Sequence, residues 1–208
     1  MVQRLDHLKE TASQTAGPYV HIGTNPNWVE ITGVWNRDLG LVLVDPATRG
    51  ERILVKGRIL DGLGKPLNDA LVEIWQADAD GLYNSPAEKR GVADPHFVGW
   101  GRQPTHRDTG EFRFETIKPG RVPCIDGRPM APHITMFIVA RGINIGLQTR
   151  MYFGDEAVAN RDCPVLKRVE HPARAETLVA PRSVENGLPV YIFDIHLQGH
   201  RETVFFDV

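Results

Sequence analysis

Residues 51–76 read ERILVKGRILDGLGKPLNDALVEIWQ and carry the strand–turn–strand pattern that decides the fold. Residues 51–60 combine β-branched and aliphatic side chains in partial alternation, which is typical of a β-strand. The glycines and the proline of residues 61–66 predict a turn. Residues 67–76, which end in Val-Glu-Ile-Trp-Gln, predict a second strand.

The same pattern recurs along the rest of the chain. Further strands, separated by turn-forming residues, are predicted at 111–117, 133–140, 147–153, 191–198 and 202–206. We expect a long loop over residues 77–104, which are rich in Asp, Gly and Pro, and a turn at 141–144. Only residues 155–169 suggest a short helical segment, and Pro164 interrupts it. Strands at this spacing without intervening helices predict an all-β fold, a single antiparallel-rich β-sandwich.

The first 45 residues contain few regular signals. We therefore predict two parts: a long N-terminal arm over residues 1–45, which packs on the sandwich or on a partner, and the sandwich itself over residues 46–208. A chain of 208 residues can bury a sizeable core without disulfides.

Composition and charge exclude several classes of function. Lys and Arg number 24 against 26 Asp and Glu, a net charge of -2, which gives no electrostatic argument for binding nucleic acid or an anionic membrane. No stretch approaches the roughly 20 apolar residues of a membrane-spanning helix. Residues 1–10 are charged and lack the apolar segment of a signal peptide. Two cysteines are too few for a disulfide framework, so a cytoplasmic protein is expected.

Short catalytic motifs are absent from the sequence. It contains no nucleotide-binding glycine motif, no nucleophile elbow and no HExxH. None of the eight histidines pairs with another at i, i+2, and only His196 and His200 stand at i, i+4, in a stretch predicted as strand and turn and not as a helix. Histidine spacing alone therefore indicates no metal site.

Longer motifs, in a fixed order, carry a resemblance to a known family. They are SQTAGPYV at 13–20, EIWQADADGLY at 73–83, IKPG at 117–120, MAPHI at 130–134, ARGINI at 140–145, CPVL at 163–166 and ETVFFD at 202–207. On these motifs the chain resembles the intradiol ring-cleaving dioxygenases over nearly its whole length. Within that family it is most similar to the alpha chains of the two-subunit enzymes.

The resemblance implies an iron site that this chain has lost. Catalytic members of the family hold a non-haem ferric ion with two tyrosines and two histidines. This chain keeps Tyr83 and His133 at two of those positions, but it has Val122 and Thr135 at the other two. Met130 stands where the family has a catalytic arginine. Two ligands are too few to hold iron against solvent, so we expect no metal and no catalytic residue in this chain.

The resemblance also implies a partner and a substrate. Alpha chains of the family pair with a beta subunit that binds the Fe(3+), in a hetero-oligomer of alpha–beta pairs. The pair uses O2 to cleave protocatechuate (3,4-dihydroxybenzoate) to 3-carboxy-cis,cis-muconate. Thr15, Gly17 and Pro18 would line the substrate cleft across the interface, and Arg141 would bind the anionic substrate. Judged without the resemblance, residues 15–18 are an ordinary turn and Arg141 a solvated loop side chain.

Two alternatives compete with this interpretation. The first is a homo-oligomeric intradiol dioxygenase that cleaves a catechol without a partner. Val122 and Thr135 argue against it, although His106 or Asp126 could in principle replace a ligand. The second is a non-catalytic β-sandwich binding module, against which the intact motif around Arg141 argues.

Overall fold

The computed structural model describes residues 14–144 and 146–207, and this part of the chain is mostly β-structure. Its strands are β1 Arg52–Leu60, β2 Leu71–Trp75, β3 Trp100–Pro104, β4 Glu111–Ile117, β5 His133–Val139, β6 Leu147–Phe153, β7 Val179–Ala180, β8 Arg182–Glu185, β9 Leu188–Ile192 and β10 Ile195–His196. Its α-helices are α1 Pro18–Thr24, α2 Ala157–Asp162 and α3 Pro172–Ala175, with 3-10 turns at Leu166–Arg168 and Glu176–Leu178.

The strands form two five-stranded sheets. In the first sheet the order is β10-β1-β9-β8, with β4 also paired to β1, and in the second it is β3-β2-β5-β6-β7. Most neighbours are antiparallel, while β1 runs parallel to β9 and β10, and β6 runs parallel to β7. The prediction of an all-β, antiparallel-rich fold is confirmed.

The core lies between the two sheets and is built from every second residue of the strands. In β5 the inward side chains are Ile134, Met136 and Ile138, each fully buried. They pack in one cluster with inward residues of the facing sheet such as Phe112 and Phe114. Each such side chain contributes about 1.5–3 kcal/mol to folding by leaving water. The residues between them in β5 point to the outer face of the second sheet.

Several sequence predictions match the strand bounds, and others are wrong. Residues 111–117 and 147–153 are β4 and β6 as predicted. The predicted loop 77–104 ends in β3, a half-exposed edge strand that the sequence Trp-Gly-Arg-Gln-Pro does not reveal by apolar alternation. Residues 202–206 form no strand, and they join the sheets through an isolated bridge from Phe206 to Gln148 and through hydrogen bonds of Thr203 and Val204.

The helical prediction also needs correction. Residues 155–169 contain α2 and a 3-10 turn, with the break at Cys163 and Pro164. The described part of the chain adds α1 and α3, each with a proline in its first turn. Helices this short show no period in the sequence, so they escape detection.

The structure describes only part of the predicted N-terminal arm, residues 1–45. Residues 14–45 contain α1 and no strand within the described residues, and residues 1–13 of the predicted arm lie outside them. The division at residue 46 stays a prediction. None of the described helices is long and apolar enough to cross a membrane.

Gly57 allows β1 to pass close to the neighbouring chain segment. A Cβ atom at residue 57 would lie 1.9 Å from the backbone oxygen of Phe193 and 3.0 Å from the ring of Phe112. The backbone oxygen cannot move away freely, because the Phe193 N–H donates to the Lys56 oxygen at 2.8 Å. Only glycine fits between these groups.

We therefore expect Gly57→Ala to destabilise the fold by about 2 kcal/mol or more, since overpacking a tight site forces backbone shifts. Urea unfolding measures the change. Gly23→Ala in α1 is the matched control, because a Cβ there would meet nothing within 4 Å. Equal stability of the two variants would contradict the close approach.

Candidate functional site

The outer face of the second sheet carries the family's ligand positions. Trp75 of β2, Thr135 of β5 and Arg150 of β6 lie directly opposite one another in register, so their side chains share this face. His133 lies two residues before Thr135 on the same face. Tyr83 folds back from the loop after β2 and stacks on Trp75, with ring centroids 5.7 Å apart and nearly parallel.

Val122 and Met130 close the site from a hairpin that crosses it. The Met130 N–H donates to the Val122 oxygen at 2.9 Å, which pairs the two residues at the base of the hairpin. Both side chains are buried. Val122 and Tyr83 line one small pocket, and Met130 and Thr135 line an adjoining cleft. The four positions Tyr83, Val122, His133 and Thr135 are thus brought together, and we call them the vestigial site.

His133 is a buried, neutral imidazole. Its Nδ1 lies 2.8 Å from the Ala131 carbonyl oxygen and so carries the proton, which leaves Nε2 as the acceptor. Burial lowers the pKa of His133 to about 4, and the nearby Arg150 charge acts in the same direction. A neutral imidazole with a fixed tautomer can bind a metal, but too few other metal-binding side chains lie around His133.

The tyrosines of the site are protonated phenols. Burial raises the pKa of Tyr83, and the opposing charge of Arg150 does not cancel that effect. Burial likewise raises the pKa of Tyr152, whose ring lies 5.6 Å from that of His133. The Tyr152 hydroxyl is buried and has no hydrogen-bond partner within residues 14–144 and 146–207. Both tyrosines are therefore neutral side chains packed at the vestigial site.

Arg150 supplies a positive charge at the vestigial site, and sequence reasoning missed it. Its Nη1 lies 3.4 Å from the Met130 sulfur, and its guanidinium stacks on Phe206 at 5.8 Å from the ring centroid. Within the described part of the chain no carboxylate lies within 4.0 Å of it. The signal that could have found it is the β5–β6 register, which places residue 150 opposite residue 135.

The residues present do not fit a ferric ion. Val122 has no atom that can bind a metal, and Thr135 stands in place of an imidazole. The charged group beside them is the Arg150 guanidinium, which is a cation. Over residues 14–144 and 146–207 no group of three or more His, Cys, Asp or Glu side chains could hold a metal. The replacements that the sequence suggested, His106 and Asp126, form no such group.

The residues predicted to contact substrate form a second cluster, at the other end of β5. Thr15 reaches the turn that follows β5: its hydroxyl accepts from the Gly142 N–H at 2.8 Å. Thr15 also forms an isolated bridge with Asn144. These contacts fix the N-terminal segment beside Arg141.

Gly17, Pro18 and Arg141 line one cleft of about 320 Å³. The Arg141 guanidinium forms a salt bridge with Asp69, yet its side chain is 72% exposed. The Asp69 carbonyl oxygen in turn lies 2.9 Å from Nε2 of His21. Arg141 is therefore oriented by the fold and still accessible to an anion.

The two clusters are far apart. His133 begins β5, and Arg141 follows two residues after its last residue, Val139. At about 3.3 Å per residue, β5 spans about 20 Å from His133 to Val139, and Arg141 lies beyond that end. Arg141 cannot reach a ligand bound at this chain's own vestigial site.

Comparison with known proteins identifies the family of the chain. A family model described as "Dioxygenase" matches residues 24–199. A protocatechuate 3,4-dioxygenase alpha chain of Pseudomonas putida is 47% identical over 98% of each chain, and one of Burkholderia cepacia is 41% identical over 97% of this chain and 98% of that one. A beta chain of the same enzyme from Burkholderia cepacia is 38% identical over 74% of this chain and 67% of that one.

Solved structures share the fold. The dioxygenase domain of a carbohydrate-binding fusion protein from Streptomyces sp. SirexAA-E has a TM-score of 0.57 at 26% identity, over 79% of this chain and 88% of that one. A 3-chlorocatechol 1,2-dioxygenase of Rhodococcus opacus 1CP has a TM-score of 0.59 at 20% identity, over 80% of this chain and 67% of that one. The resemblance drawn from the motifs is confirmed: the chain belongs to the intradiol ring-cleaving dioxygenase family, whose members depend on non-haem iron.

Proposed function

We propose that this chain is the alpha subunit of a protocatechuate 3,4-dioxygenase. It pairs with a beta subunit and takes part in the O2-dependent intradiol cleavage of 3,4-dihydroxybenzoate to 3-carboxy-cis,cis-muconate. The observation that carries the proposal is its 47% and 41% identity, over nearly the whole chain, to proteins with that name. The alternatives, a self-sufficient catechol dioxygenase and a non-catalytic module, have no comparable support.

We place the iron in the beta subunit. Val122 fills one ligand position with apolar atoms, and Thr135 and Met130 replace two further functional groups. The ring-opening chemistry therefore belongs to the partner, and this chain contributes binding surface.

The N-terminal segment offers a surface for the beta subunit. Between residues 19 and 42 it exposes several large apolar side chains: Tyr19, Ile22, Ile31, Val34, Trp35, Leu39, Leu41 and Val42. Exposed apolar groups concentrated in one segment mark protein–protein contact sites. Ile22 and Ile31 line the same cleft as Arg141. A beta subunit bound to this surface would therefore place its own active site beside Arg141.

Arg141 would act by binding the anionic groups of protocatechuate held on the partner's iron. Its planar guanidinium can form two parallel hydrogen bonds to one carboxylate. The backbone of Thr15, Gly17 and Pro18, held beside it, would exclude water from the substrate. The separation of Arg141 from this chain's own ligand positions favours such a role across the interface.

The iron assignment has a direct test. We expect the chain purified alone to contain no stoichiometric iron and no tyrosinate-to-iron absorption band, and the complex with beta to show both. Tyr83→Phe in this chain should leave that band unchanged, because the phenolate ligands come from the partner. Elemental analysis and visible spectra of the native and variant complexes measure this, and a band weakened by Tyr83→Phe would refute the assignment.

For Arg141→Gln we expect an assembled complex whose KM for protocatechuate is raised about tenfold or more, since a lost charge-assisted contact costs about 1.5–3 kcal/mol. Steady-state O2 uptake measures the change. Arg113→Gln is the control, because Arg113 is an exposed arginine of β4 in the other sheet. If both variants keep the native KM, Arg141 does not contact the substrate.

A further inference from the structure

The vestigial site adjoins, at Thr135, a cleft with a volume of about 660 Å³. Its floor is the outer face of the second sheet at Thr135 and Arg150, and its walls include Met130, Val165 and Phe206. This size lies within the range of about 300–1,000 Å³ that is typical of small-molecule sites. Loss of the metal ligands has therefore not closed the space beside them.

Arg150 is the charged group on the floor of this cleft. It is half-buried, it contacts the weak acceptor Met130 Sδ and the face of Phe206, and the buried Tyr152 hydroxyl lies close to it. No carboxylate in the described residues lies within 4.0 Å of it. A partly desolvated cation without a counter-ion costs free energy, which an anion bound in the cleft would offset.

The remaining charges favour an anion with a single negative charge. Arg168 lies at the exposed rim, and Arg174 beside it is already paired with Glu202 at 3.2 Å. Glu170 and Asp207 also line the opening. These two carboxylates repel a ligand that carries several negative charges, such as phosphate or a tricarboxylate.

The polar and apolar parts of the cleft are separated. Near Arg150 lie Thr135 and Gln148, which offer a hydroxyl and an amide. The walls of Met130 and Phe206 are apolar, and they suit a flat hydrocarbon ring. A ligand with a ring at one end and a carboxylate at the other matches this distribution.

We propose that this cleft binds a small aromatic monocarboxylate, with its carboxylate on Arg150 and its ring between Met130 and Phe206. The site binds the ligand without transforming it. The proposal uses only residues of this chain, so it is independent of the pairing with a beta subunit.

Equilibrium dialysis with radiolabelled benzoate tests the proposal, because benzoate lacks the hydroxyl groups needed to chelate iron. We expect the chain alone to bind one benzoate, and the alpha–beta complex to bind two per pair. Arg150→Gln should weaken one site by about tenfold or more, and Arg150→Lys should weaken it less. Arg141→Gln should weaken only the other site, and Arg113→Gln should weaken neither.

A neutral competitor and an inorganic anion complete the experiment. Benzamide should compete at least about tenfold less well than benzoate, and phosphate should not displace benzoate from the Arg150 site. Native affinity in Arg150→Gln, equal competition by benzamide, or a single site lost only with Arg141→Gln would each overturn the proposal. If Arg150→Gln fails to fold, the comparison of benzoate with benzamide on the unchanged chain decides. If the complex binds only one benzoate per pair, and binds it at the Arg150 site, the result contradicts the alpha–beta pairing and this inference stands.

Discussion

The pleat of strand β5 is the constraint on which the rest of the structure depends. Successive residues of a strand point to opposite faces, so one seven-residue segment serves two purposes. Ile134, Met136 and Ile138 join the core between the sheets, while His133 and Thr135 face outward beneath the hairpin of residues 122–130. A shift of one residue in register would exchange the two sets. The core therefore fixes where the ligand positions lie, whether or not they hold a metal.

This arrangement explains how the chain tolerates the loss of its site. An unoccupied set of buried ligand groups would leave polar atoms without partners, at a cost of about 1–3 kcal/mol each. Here Val122 buries apolar surface at one position, and the His133 Nδ1–H is satisfied by a backbone carbonyl. Only the Tyr152 hydroxyl remains buried and unpaired in this part of the described structure. Sequence changes have converted most of the site into packing.

The sequence predicted those strands whose own residue pattern is typical of a strand. The alternation in residues 111–117 located β4 to the residue, and residues 147–153, after the predicted turn at 141–144, located β6. The edge strand β3 and helix α1 were missed, because their positions depend on tertiary contacts and their sequences show no period. Family motifs located the four ligand positions. They could not reveal Arg150, since its place opposite Thr135 follows from strand pairing, which no single segment encodes.

The two ends of β5 now have different roles in the proposed enzyme. At the first end, the family's metal positions have become a packed remnant beside an open, positively charged cleft. At the other end, Thr15 and Gly142 hold the N-terminal segment against the turn that carries Arg141. The length of β5, about 20 Å, separates them, and the core residues of the strand hold both ends in place. In the proposed assembly, a chain without iron could still complete its partner's site, because the strand that links the two ends is held by the core and not by a metal.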